Sequence, residues 1–114
     1  MEDKLLKILR AYGCPVFLQG SLGDSDPYPD RFFTYWNNDS ASAAHYDNKH
    51  SSIVYDYDVN YYGTDAYEVY ATHRQAIEDL RAVGFIISGD GYSVATDEPE
   101  YCGRGVRVYY KHNL

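Results

Sequence analysis

The sequence predicts an α+β fold: a mainly antiparallel sheet with two helices packed on one face, in the order α-β-β-β-α-β-β-β. Three observations carry that prediction. Residues 3–12 and 65–83 repeat their apolar side chains at helical spacing. Residues 53–62 alternate apolar and polar positions as a strand with one buried face does. Five further runs of β-branched and aromatic residues are set off by Gly, Pro, Asn and Asp. Two amphipathic helices and a sheet with one apolar face bury their stripes most simply against each other.

The elements follow in order. In the first helix, from Asp3 to Tyr12, the residues Leu5, Ile8, Leu9 and Tyr12 share a face; Gly13 and Pro15 end it. Val16-Phe17-Leu18 reads as a short strand, and Gly20 to Asp30 has turn composition. Arg31 to Trp36 is a strand. Asn37 to Ser51 is small and polar, a loop long enough to expect a task of it. In the next strand Ile53, Tyr55, Tyr57, Val59 and Tyr61 point one way, while Asp56, Asp58 and Asn60 show an acidic face to water or to a partner.

Thr64 or Asp65 caps the second helix, with Glu68 placed for a capping box. Its core stripe is Val69, His73, Ala76, Ile77, Leu80 and Val83, and Gly84 supplies the left-handed stop. Phe85 to Ser88 and Tyr92 to Ala95 read as a hairpin about the turn Gly89-Asp90-Gly91. After a loop from Thr96 to Gly103, Val106, Val108 and Tyr110 alternate with Arg107, Tyr109 and Lys111 to finish the sheet. One domain, 1–114, is the expectation for 114 residues.

Composition narrows the function. Ten basic against seventeen acidic residues leave a formal charge of −7, and the few cations are scattered, which argues against specific nucleic-acid binding and against an anionic membrane surface. No apolar run approaches the ~20 residues that span a bilayer. The opening Met1-Glu2-Asp3-Lys4-Leu5-Leu6 reads as an amphipathic start and not as a signal peptide. Cys14 and Cys102 match no metal or redox spacing and are expected as reduced thiols. Nineteen aromatic residues, fourteen of them Tyr, suit half-buried strands and protein interfaces.

No catalytic set, metal site or cofactor site is expected. His45, His50, His73 and His112 form no HxxxH pair; His73 falls on the core stripe, and His45 and His50 lie in the polar loop. The pairs Asp24/Asp26 and Asp56/Asp58 lack the ligand density and glycine turn of a calcium loop. Gly89-x-Gly91 lacks the third glycine and the following helix of a phosphate-binding turn. The residues alone therefore point to a binding or assembly role.

Three stretches add a resemblance: RFFTYWNND (31–39) with HYDN (45–48), SIVYDYDVNYYGTD (52–65), and GFIISGDGYSVATDEPEYCGRG (84–105). In this order, from about residue 15 to residue 110, they resemble a family of small phage and prophage proteins encoded with tail and head–tail genes. That family is associated with tail completion, or head-to-tail joining, in long-tailed phages of Gram-positive bacteria. The resemblance implies a structural virion part that forms a ring, hexameric in type, at the head–tail junction. Other phage head–tail and tail proteins are its implied partners. It would be found in the bacterial cytoplasm during assembly and then in the virion.

A ring of identical subunits needs a heterologous interface. Tyr35, Trp36, Tyr109 and Tyr110, taken as strand-edge residues, and the loop positions Asn37, Asn38, His45 and Tyr46 are the candidates for it. Asp56, Asp58 and Asn60 are candidates to face a channel. An acidic phage-encoded inhibitor that mimics DNA is the alternative function, and a small hydrolase using His45 or His50 the third.

Overall fold

The computed structural model describes residues 2–19, 28–38, 52–96 and 98–113. Within them the order is α1 (Glu2–Arg10), β1 (Val16–Leu18), β2 (Arg31–Asn37), β3 (Ser52–Gly63), α2 (Ala66–Ala82), β4 (Ile86–Val94) and β5 (Cys102–Asn113). The strands form one sheet in the order β1-β2-β3-β5-β4. All neighbours are antiparallel except β1 and β2, which run parallel. The α+β class holds, with five strands where six were expected.

The missing strand has a physical reason. Gly89-Asp90-Gly91 is not a hairpin tip: residues 86–88 and 92–94 both pair with β5, and the three residues between them stand opposite Val106 alone. Gly89 and Gly91 take φ of +76° and +94°, left-handed values that a bulge needs as much as a tight turn does. The same dipeptide chemistry thus served a kink inside one strand. The hairpin lies one step later, between β4 and β5.

Both helices stop before the glycines their sequences mark, α1 at Arg10, two residues short of the expected Tyr12. After α1 the amides of Ala11, Tyr12 and Gly13 bond to carbonyls three residues back, tightening the last turn before Gly13. Asp65 caps α2, accepting from the amides of Tyr67 (3.0 Å) and Glu68 (3.3 Å). The Glu68 carboxylate does not close the expected capping box but accepts from the Tyr61 hydroxyl at 2.8 Å and from Thr72. Tyr61 in turn accepts from Arg31 at 3.3 Å, so this network ties the ends of β2 and β3 to the first turns of α2.

Both helices cover one face of the sheet. Leu5 and Leu9 of α1 and Val69, Ala76, Ile77 and Leu80 of α2 join Phe33, Tyr57, Val59, Tyr61, Val106 and Val108 in one buried cluster. Every strand residue named there belongs to one parity of its strand, as the registers require. Phe33 meets Tyr61 at 4.5 Å between ring centroids and Tyr12 at 5.7 Å. His73 sits in the same layer, buried, and donates through Nε2 to the Val59 carbonyl at 3.2 Å. Burial pushes its imidazole down to about 4, and the nearby Arg104 charge pushes the same way against the Val59 bond.

Candidate functional site

Among the described residues no helix lies over the other face of the sheet. That face presents Phe32, Thr34 and Trp36 from β2, Asp56, Asp58, Asn60 and Tyr62 from β3, Gly103, Gly105, Arg107 and Tyr109 from β5, and Ile86, Ser88, Tyr92 and Val94 from β4. Alternation puts them there: each is the neighbour, along its own strand, of a residue on the helix side.

One end of this face builds an aromatic layer of its own. Phe32 stacks on Tyr62 at 5.2 Å and meets Tyr28 and Phe17 edge-on at 5.6 and 5.9 Å. Tyr101 closes the layer, its hydroxyl donating to the carbonyl of Pro29 at 2.8 Å. Phe32 is buried without any help from a helix.

The middle is polar and fixed. Asp56 is 5 % exposed. Its carboxylate accepts from Arg107 Nε at 2.9 and 3.1 Å and from Arg107 Nη2 at 2.6 Å, a fork-to-fork pair. Asn38 Nδ2 adds a third donor at 3.1 Å, and the Asn38 amide bonds to the Asp56 carbonyl at 2.8 Å. Burial pushes the Asp56 carboxyl up, but the bonds from Arg107 and Asn38 and the Arg107 charge outweigh it and hold the group below its ordinary range. The Arg107 guanidinium also lies 5.5 Å from the Tyr109 ring centroid.

Asn60 is buried beside Gly105, its Nδ2 donating to the Tyr62 hydroxyl at 3.2 Å. A Cβ at position 105 would stand 2.4 Å from Asn60 Oδ1 and 2.9 Å from the Tyr92 ring, so only glycine lets these side chains fold across β5. Thr34 Oγ1 and Asn60 Oδ1, opposite each other on β2 and β3, are buried with no hydrogen-bond partner among the described residues. Around this floor stand three large side chains open to solvent: Trp36 at 46 %, Tyr92 at 47 % and Ile86 at 60 % exposure.

The candidate interface residues fall in different places. Trp36 and Tyr109 are together on the uncovered face. Tyr35 and Tyr110, their chain neighbours, turn to the helix side; Tyr110 packs on Phe85 at 5.0 Å and its hydroxyl accepts from Lys4 at 2.8 Å. The expectation that these four are strand-edge residues is corrected for Tyr35 and Tyr109, which pair with β1 and β4 on interior strands; Trp36 and Tyr110 lie just past those paired stretches. Asn37 is exposed at the end of β2, and Asn38 is half-buried against Asp56. His45, His50 and Tyr46, most of the 37–51 loop and the Asp24/Asp26 pair lie outside the described residues.

The acidic row is also corrected. Asp56 is buried and matched by Arg107, and Asn60 is buried, so of the three channel candidates Asp58 alone keeps a half-exposed carboxylate. Sequence reasoning placed Arg107 on the outer parity of its strand but could not pair it with Asp56, 51 positions away. Ile86 and Tyr92 were missed as surface groups. Their apolar character signalled burial, yet they stand on the face that no described helix covers, Ile86 and Tyr92 both exposed.

Cys14 and Cys102 are unbridged. Among the described residues no cluster of His, Cys, Asp or Glu could hold a metal ion, and no helix is long and apolar enough to cross a membrane. No family model and no curated protein sequence matches the chain.

Proposed function

We propose that the protein is a non-enzymatic structural component of a long-tailed phage, acting in tail completion or head–tail joining through a ring built at the head–tail junction. The observation that carries the reading is the uncovered sheet face: Trp36, Tyr92 and Ile86 exposed around a polar floor that the Asp56–Arg107 pair and the Asn60–Gly105 contact hold still. Aromatic anchors beside an arginine are the composition that dominates protein–protein binding energy. A rigid floor lowers the ordering cost of docking. The sequence resemblance supplies the phage context and the partners, other head–tail and tail proteins.

The ring closes when this face meets a different patch on the next copy or on a neighbouring component. The test is mass spectrometry of purified particles from an induced source strain. The reading expects the protein at a few copies per particle, one ring's worth. Its absence from intact, infectious particles would overturn the reading and bring forward the acidic inhibitor of a host nucleic-acid-binding protein.

A further inference from the structure

The helix side of the molecule carries a cleft that the assembly reading does not use. α2, the bulge of β4 and β5 enclose about 180 Å³, with Tyr70, His73, Arg74, Arg81, Asp90 and Arg104 among the lining residues. Three of the six arginines of a chain with formal charge −7 thus converge on one concavity. Arg81 is taken by Glu78, 2.6 Å away on the same helix.

Arg74 and Arg104 differ from it. Arg74 donates to the Tyr70 hydroxyl at 3.3 Å, and accepting there leaves that hydroxyl its own hydrogen to donate. Arg104 lies with its guanidinium 5.2 Å from the Tyr70 ring centroid and reaches Ser93 Oγ only at 3.5 Å. Among the described residues neither guanidinium has a carboxylate in ion-pair range. His73 at the base is neutral near pH 7 and adds no charge.

The wall is shaped for Arg104. A Cβ at position 91 would stand 3.2 Å from Arg104 Nη2 and 3.5 Å from the His73 ring, and the backbone there has φ of +94°. The Gly89–Gly91 bulge therefore brings the strand close while leaving the guanidinium its place. Bulges that re-aim a side chain in this way recur beside binding sites.

We propose that this cleft is a binding site for a single phosphate group, held by the guanidinium groups of Arg74 and Arg104 and by the Tyr70 hydroxyl. Donors from two elements suit a tetrahedral oxyanion, and two guanidinium charges match a dianion. Pockets for nucleotide- or drug-sized ligands run to roughly 300–1,000 Å³, so this one takes inorganic phosphate or the head of a small phosphomonoester. Two carboxylates also line the cleft: Glu78, paired with Arg81, and Asp90, which repels the anion and weakens its hold.

The test is an amide NMR titration of the full chain with inorganic phosphate and, separately, with glycerol phosphate, using acetate and chloride at matched ionic strength. The expected result is a saturable shift at residues 70–74, 90–91 and 104 with either phosphate; response to glycerol phosphate alone would assign the site to esters. R104Q and R74Q each weaken binding about tenfold or more, the loss of one charged hydrogen bond. D90N tightens it, and K111Q, an exposed cation elsewhere, leaves it unchanged. Shifts that do not saturate, acetate binding as tightly as phosphate, or R104Q and R74Q titrating like the parent protein while keeping its spectrum would overturn the proposal.

Discussion

The two faces of the sheet stay ordered by different means. On the helix side Phe33, Tyr57, Val59, Tyr61, Val106 and Val108 are buried because α1 and α2 lie over them. On the other side Phe32 is buried by Tyr28, Tyr62 and Tyr101, Asp56 by its pairing with Arg107, and Asn60 by its fit against Gly105. The first face is held by non-directional burial, which tolerates repacking. The second is held by specific cross-strand pairs, and at one end by the aromatic layer that Tyr28 and Tyr101 complete, while other apolar groups stay in water. In the proposed assembly role, this second face is the one that docks.

Substitutions separate the two faces by size of effect. Phe33→Ala removes a fully buried ring from the helix side and should cost about 3–5 kcal/mol, read as a lower midpoint in chemical denaturation. A cost near zero would mean that the helices do not clamp this face.

Acid probes the same layer through His73. Its folded-state pKa lies below its unfolded value, so the unfolded chain binds the extra proton first and stability falls with pH. The loss runs from about 6.5 down to about 4, where the folded form also titrates, and reaches about 3 kcal/mol. Stability curves for the parent and for His73→Leu check this: the substitution should flatten that part of the profile.

On the uncovered face Gly105→Ala drives a methyl group into Asn60, Val94 and Tyr92 and should cost about 1–3 kcal/mol in thermal or chemical denaturation. Gly89→Ala, at a site with no neighbour within 4 Å, isolates the cost of the left-handed backbone alone; this is expected to be the smaller of the two. Least of all, Ile86→Lys should shift stability by no more than about 0.5 kcal/mol, because the side chain is already 60 % exposed. The proposed assembly role predicts that the same change lowers the amount of the protein in purified particles.

The sequence was most informative where the chain interacts with itself locally. Alternation from Tyr55 to Tyr61 identified the inward residues of β3, and the stripe Val69, His73, Ala76, Ile77 and Leu80 is the buried side of α2. The cap was legible to within one residue, Thr64 or Asp65, for the same reason, and Asp65 is the one that caps. What depends on register was not. Asp56 reads as a solvent acid until β5 brings Arg107 beside it, and Gly89-Asp90-Gly91 reads as a hairpin until both flanks are seen to pair with β5. The parallel pairing of β1 with β2 has no local signature in three residues. The uncovered face is a property of the whole sheet, so its exposed groups carry no mark in their own segments.

The most direct test of that face compares the parent protein with the Trp36→Lys/Ile86→Lys double variant, each supplied in the source strain in place of the chromosomal copy. The variant is first checked for an unchanged fold by its thermal midpoint, and the protein is then quantified in purified particles. The account predicts the parent at one ring's worth per particle and the variant folded, expressed and missing from particles. A folded variant incorporated like the parent would contradict it.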